Sequence, residues 1–279
     1  MFFVVFGIAY INYMPYVVWT PCDSFGCRLC VGVFHVLLAL LLWSYVMCVF
    51  TDPGTTPVAW ARAVAADAVL ASHHRVCPRT GKHRPLRSHY CSVTGRVVLN
   101  MDHFCPWVVN TVGFYNRKFF VLFLGYVLAT TSWVILTFGA QFFSLSSPHI
   151  VVPPQTRRWA AGSLMMTVTA LILDMTLAFM LLCFFTFHLR MVLKNETTIE
   201  GPSPQFDVGA RRNCAQVFGA NRWLWLLPVW GDGPDGDGVH WPMHPDPELC
   251  AGEVEEGHGD VSNAKLLAEA DYDWDSDSD

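Results

Sequence analysis

The sequence predicts an all-α integral membrane protein: a four-transmembrane-helix bundle with a small irregular cytosolic, cysteine-rich-type module between spans two and three. Three observations predict it. Of the 279 residues, 53% are hydrophobic and only 15% charged, against about 25% charged in ordinary soluble domains. Four stretches, roughly 1–20, 29–50, 119–146 and 160–189, approach or exceed the ~20 apolar residues a helix needs to cross a ~30 Å hydrocarbon core. The formal charge of −5 divides unevenly, because residues 1–230 carry 17 Lys/Arg against 8 Asp/Glu while 231–279 carry 1 against 15. A basic apolar body with an acidic tail excludes a chain that is disordered or fibrous throughout.

Taken in order, residues 1–50 hold spans one and two. The opening MFFVVFG has no basic flank and no small-residue cleavage site after it, so it reads as a membrane helix and not a secretory signal. Lys and Arg favour the cytosolic side of short loops. Residues 51–117 contain eight of them, whereas loop 21–28 has one and loop 147–159 has two. Both termini and the 51–118 segment are therefore expected in the cytosol, with Cys22, Cys27 and Cys30 on or near the oxidising side, where a disulfide is permitted. Asp52-Pro53-Gly54 ends the second span by turn chemistry, and the Ala/Val-rich run 57–72 suits a short helix near the headgroups. From Cys77 to Asn116, Gly, Pro, His, Arg and Ser mix with short β-branched runs such as 97–99, which leaves little core for an independent domain.

Residues 119–193 contain spans three and four. The fourth includes one carboxylate, Asp174, which should face other helices or water and not lipid. The segment 194–230 follows, with TTIE at 197–200, breakers at Pro202 and Pro204, and a Trp/Leu run ending at Trp230 that is too short to span and should lie in the interface or on the bundle. From 231 to 279, Gly, Pro and acids give the composition of a disordered, solvated tail.

One local pattern carries chemistry. In Asp102-His103-Phe104-Cys105-Pro106-Trp107 an extended backbone turns His103 and Cys105 to the same side. The imidazole can accept the thiol proton, the thiolate is the nucleophile, and a carboxylate can orient the ring. A bare D-H-x-C is weak evidence, since most such pairs are incidental.

The surrounding run from Cys77 to Phe120 resembles the cysteine-rich module of DHHC-type protein S-acyltransferases (palmitoyltransferases), with a DHFC variant of the motif. Matching elements include Arg84-Pro85, Arg87, His89, Cys91, the block Met101 to Trp107, Asn110, Gly113 and Asn116. Outside it, Asp52-Pro53-Gly54 is similar to the family's DPG motif, Thr197 to Glu200 to its TTxE motif, and Asn213 to Gly219 to its N-x-x-x-V-F-G element. The resemblance covers residues 1–230 and leaves the acidic tail aside. It implies a two-step transfer: Cys105, with His103 as base and Asp102 orienting it, takes a long-chain acyl group from palmitoyl-CoA or a similar acyl-CoA. A cysteine of a membrane-associated substrate protein then takes it from Cys105. It further implies that Thr198 and Glu200 help orient the site and that Asn213 packs the C-terminal element on the fourth helix. Arg84, Arg87, Arg96, Arg117 and Lys118 are the cations available for the acyl-CoA headgroup. The expected partners are acyl-CoA, substrate proteins with cytosolic cysteines and the lipid bilayer of an endomembrane (Golgi or ER) or the plasma membrane, with no nucleic acid.

The sequence departs from that family at the metal. The resemblance implies two zinc ions, each held by three cysteines and a histidine. In the first site Cys77 remains, but Thr80, Tyr90 and Val97 stand at ligand positions. In the second Cys91 remains, with Thr94, Phe104 and Thr111 in place of the others. One protein ligand cannot hold tetrahedral zinc, so no metal cofactor is expected and packing must hold the module. An alternative function is a catalytically inactive DHHC-like membrane scaffold or escort protein.

Overall fold

The computed structural model describes residues 2–18, 24–145 and 157–246. It is mostly helical. Among the described residues, three helices are long and apolar enough to cross a membrane, Phe25–Phe50, Arg117–Thr137 and Met165–Lys194. They lie in α2 (Phe25–Phe50), α5 (Arg117–Leu145) and α6 (Arg157–Lys194). The first apolar stretch forms α1 (Phe2–Tyr13), which widens into a π-helical turn over Met14–Val18. Pro15 has no N–H to donate there, and the loosened turn accommodates it. The apolar helix Val5–Val18 is shorter than a crossing.

α5 packs between α2 and α6. Polar side chains bridge the helices where hydrocarbon would otherwise leave them unpaired. Tyr16 Oη and Thr137 Oγ1 are 2.8 Å apart, and Trp133 Nε1 donates to the Cys30 carbonyl at 3.0 Å. Asp174 has no exposed surface, and among the described residues neither of its carboxylate oxygens has a hydrogen-bond partner, while Asn12 Nδ2 of α1 donates to the Ile8 carbonyl at 3.1 Å. Cys27 is disulfide-bonded and Cys30 is a free thiol, while Cys22 lies outside the described residues.

Between α2 and α5 the chain forms two short helices, α3 (Val58–Ala66) and α4 (Ala68–Ser72). Two antiparallel hairpins follow. β1 (His89–Cys91) pairs with β2 (Arg96–Val98), and β3 (His103–Cys105) pairs with β4 (Asn110–Val112). Three-residue strands cannot stand alone, and the loop after α2 stitches them together. Leu99 N donates to the Gly54 carbonyl and Tyr115 N to that of Pro53, while the Gly54 amide is capped by Asp52. Asn110 Nδ2 reaches the carbonyls of Cys48, Val49 and Thr51, filling acceptors freed where α2 ends. Gly113 is a close-approach site, because a Cβ there would meet Val98 Cγ1 at 2.7 Å and the Leu99 oxygen at 2.9 Å. Cys105, Val108 and Val112 join one apolar cluster with Tyr45 and Cys48 of α2, Phe119 and Phe120 of α5, and Val192 of α6. The hairpins therefore rest on the helix ends.

Composition assigns residue 231 onward to a solvated tail, whereas residues 231–246 pack against the body and the chain beyond lies outside the described residues. Val239 is buried with Trp60, Val64, Leu99 and Phe114, and the Trp241 ring meets Phe114 edge-on. Gly238, at φ 75°, permits this because a Cβ would strike Phe114 at 2.9 Å. Two apolar residues hold a stretch whose average composition is polar.

Val109, in the turn between β3 and β4, sits at φ 52°, a region that a β-branched side chain enters only with strain. Its side chain is exposed. Val109→Asn should therefore raise stability by about 1 kcal/mol, read as a higher melting temperature in detergent. An unchanged or lower value would remove the strain argument.

Candidate active site

β3 delivers its residues to the seam between the hairpin and the helix ends. Asp102, just before the strand, has no exposed surface. Such a carboxylate must be compensated on every side. Its Oδ2 lies 2.8 Å from His103 Nδ1, its Oδ1 accepts the Thr198 amide at 2.8 Å, and its own carbonyl accepts the Thr198 hydroxyl at 2.5 Å. Burial opposes ionisation of Asp102, but the His103 hydrogen bond and the Arg117 charge outweigh it and bring the carboxyl down to about 2. Burial likewise disfavours the His103 cation, and hydrogen bonding to Asp102 and Cys105 raises the ring to about 9. Cys105 is buried, which pushes its thiol up, yet His103 and the Val108 and Trp107 amides bring it below the ordinary value. The arrangement favours the thiolate of Cys105 over an ordinary thiol and sets a buried carboxylate behind the His103 ring.

The candidate residues named from sequence separate into two groups. Asp102, His103, Cys105 and Thr198 converge. Glu200 does not touch Asp102: it pairs with Arg87 Nε at 2.9 Å and lies 3.6 Å from His89 Nε2. Burial raises Glu200, and the His89 hydrogen bond and Arg87 charge overcome it to lower the carboxyl. Asn213 Nδ2 donates to the Leu193 carbonyl at 2.8 Å and to Asp207 at 2.7 Å, joining α7 (Ala210–Phe218) to the end of α6.

Three of the five cations named for a headgroup are structural. Arg87 is buried, with Nη1 on Asn195 Oδ1 and Nη2 on the Asn195 carbonyl, and its guanidinium lies 4.4 Å from the ring centroids of both Phe206 and Trp241. Arg117 is buried and donates to the Glu196 carbonyl. Lys118 is buried on the carbonyls of Leu224 and Val229, each at 2.9 Å. Counting charge cannot distinguish an arginine that closes a core from one that waits for a ligand. Arg84 and Arg96 keep exposed surface, Arg84 donating to the Ser88 carbonyl and Arg96 pairing with Asp52 at 2.7 Å.

His188 of α6 escaped sequence reasoning. It is buried against Phe120, Phe184 and Phe187, with Nδ1 3.8 Å from Asp102 Oδ2 and its ring 5.8 Å from that of His103. The available signal was a lone histidine in the last turns of an apolar span.

At the former ligand positions, Thr111 Oγ1 donates to Cys91 Sγ at 3.2 Å. Phe104 packs beside Cys91, Val98 and Met101. Tyr90 and Val97 face each other across β1 and β2, and Phe104 and Thr111 across β3 and β4. The Thr80 amide donates to the Cys77 carbonyl at 3.2 Å.

Residues 71–203 match the family model of the DHHC palmitoyltransferase. Among curated proteins, "Probable protein S-acyltransferase 13" of Arabidopsis thaliana is 36% identical over 251 residues, covering 82% of this chain and 81% of that protein. "Probable protein S-acyltransferase 14" of the same plant is 34% identical over 86% of each. "Palmitoyltransferase ZDHHC15" of Xenopus laevis is 33% identical over 76% of this chain and 70% of its own length.

The geometry predicts how Cys105 responds to pH. Asp102→Asn removes the charge that raises His103, so the ring falls from about 9 toward the ordinary imidazole range and the thiol of Cys105 rises toward its ordinary value. The pH midpoint for Cys105 alkylation by iodoacetamide should rise, and the rate at pH 7 should fall. An unchanged midpoint would show that Asp102 does not set the thiolate.

Proposed function

Because the chain belongs to the DHHC palmitoyltransferase family, we propose that it is a protein S-acyltransferase using Cys105 as its nucleophile. The observation that carries this reading is the ring of His103 held between a buried, ionised Asp102 and the Cys105 thiol. In the first step the Cys105 thiolate attacks the thioester carbonyl of a long-chain acyl-CoA. The C–S bond to coenzyme A breaks, its thiolate takes the proton that His103 carries, and acyl-Cys105 remains. In the second, His103 removes the proton from a substrate protein's cysteine, that sulfur attacks the acyl-Cys105 carbonyl, and Cys105 leaves as thiolate. Thioester exchange is nearly balanced, so the work of the site is positioning and thiolate supply.

The position of Cys105 at the base of the hairpins, against the ends of α2, α5 and α6, supports an acyl chain entering the bundle beneath it. Burial favours such a chain by ~0.8 kcal/mol per methylene. Arg84 and Arg96 are the remaining candidates for the headgroup phosphates. Four spans with both termini and the hairpin module in the cytosol accord with the cation-rich 51–117 segment. Thr198 is a positioning residue, since it holds Asp102 through two bonds, and Glu200 acts one step further out by fixing Arg87.

The residues at the family's two zinc positions do not suit that metal. Cys91 accepts a hydrogen bond from Thr111, and the neighbouring positions carry a phenyl ring and hydroxyls, which are not zinc donors of the usual N and S kind. The hairpins of this enzyme are metal-free and held by apolar contacts and by the loop after α2.

Self-acylation of the purified chain with labelled palmitoyl-CoA tests both statements on one sample. The wild type should take up hydroxylamine-cleavable label and contain far less than stoichiometric zinc. Cys105→Ala should lose the label, and His103→Ala should slow its uptake about 10²-fold or more. Undiminished label in Cys105→Ala would misassign the nucleophile, folded protein that never labels would favour the scaffold alternative, and near-stoichiometric zinc would overturn the metal-free reading.

A further inference from the structure

The strongest unassigned feature lies away from Cys105, where α7 meets the Trp/Leu segment. A cleft of about 400 Å³ is lined by Arg211, Arg212, Arg222, Trp225 and Asp235. Three guanidiniums face one carboxylate. All three arginines are exposed, and among the described residues none makes an ion pair, whereas Arg87, Arg96 and Lys194 each do. Arg211 and Arg212 occupy the first turn of α7, where the helix dipole disfavours cations, so their position does not serve the helix.

A second, independent observation says what the cleft faces. The segment after Arg222 is tied along the start of α5: Lys118 Nζ holds the carbonyls of Leu224 and Val229, and Tyr126 Oη donates to that of Leu226. Lys118 and Tyr126 are eight residues apart, so the segment follows about 12 Å of a membrane-crossing helix at 1.5 Å per residue. Along it, Trp223 is 91% and Leu226 72% exposed. Exposed Trp and Leu beside the first turns of a span are the composition of the membrane interface. The cleft lies beside them, with Arg222 and Trp225 in its lining.

We infer that Arg211, Arg212 and Arg222 form a binding site for the phosphate headgroup of an anionic phospholipid, with Trp223 and Leu226 dipping into its acyl region. Guanidiniums match phosphate oxygens in paired hydrogen bonds, and the adjoining apolar side chains separate a lipid from a soluble anion. The inference rests on the membrane placement of α5 and not on acyl transfer, so self-acylation read on the same protein keeps the two apart.

Native mass spectrometry of the detergent-purified full chain with equal amounts of phosphatidic acid and phosphatidylcholine tests it. Phosphatidic acid adducts should be favoured by about tenfold or more, given the attraction of a few basic residues to an anionic headgroup. The variant Arg211→Gln/Arg212→Gln/Arg222→Gln should bring the two lipids to parity with an unchanged melting temperature. Trp223→Ala/Leu226→Ala should lower adducts of both. Equal adducts in the wild type, or a preference that survives the triple variant, would overturn the site. Displacement of the lipid by equimolar inorganic phosphate or coenzyme A would make it a soluble-anion site. A preference that emerges only when the acidic residues of 248–279 are neutralised would assign the cleft to the chain's own tail.

Discussion

A carboxylate with no exposed surface is the constraint around which this molecule is arranged. Asp102 cannot be ionised in that place unless donors and positive charge are brought to it, and they come from separate parts of the chain. The β3 strand supplies His103, the segment after α6 supplies the Thr198 amide and hydroxyl, and the start of α5 supplies the Arg117 charge. α6 closes the remaining side with the His188 ring. The elements that carry these groups are packed through the apolar cluster of the helix ends, the hairpin register and the Arg87 stack. The electrostatics of the site are therefore a readout of how well those layers meet.

The hairpins show how a small module can be held on a membrane bundle by packing. Two pairs of three-residue strands have almost no independent stability. Here the loop after α2 threads between them, Asn110 takes up three helix-end carbonyls, and Gly113 allows a backbone approach that no other residue permits. The residues around Cys91 fill space, and Thr111 hydrogen-bonds its sulfur. Rigidity comes from contact with the layer beneath, so the hairpins and the helix ends should behave as one cooperative unit.

Much of this was legible in the sequence, and the remainder divides by physical cause. The apolar helices α2, α5 and α6 were legible because long, almost wholly apolar runs, broken in α6 by Asp174 alone, have few alternatives. The facing of His103 and Cys105 followed from strand alternation alone. The hairpins were not legible, since three residues are too few for a period. The packing of 231–246 was hidden because two residues, Val239 and Trp241, anchor a stretch whose average is polar. The fates of Arg87, Arg117 and Lys118 depend on burial, which charge counting does not sense. Arg87 is the sharpest case: a residue that composition assigns to a ligand is sandwiched between Phe206 and Trp241, and the second of these comes from the segment assigned to solvent.

The distance along the chain between Asp102 and Thr198, 96 residues, carries a consequence for biogenesis. During synthesis the hairpins are complete while α5 and α6 are still to be made, and in that interval Asp102 lacks both the Thr198 bonds and the surroundings that bury it. A solvated Asp102 is a weaker partner for the His103 ring, and the Cys105 thiol then stays close to an ordinary one. The surroundings of Cys105 are therefore complete only when α6 and the segment after it have been made and the chain has turned back on itself.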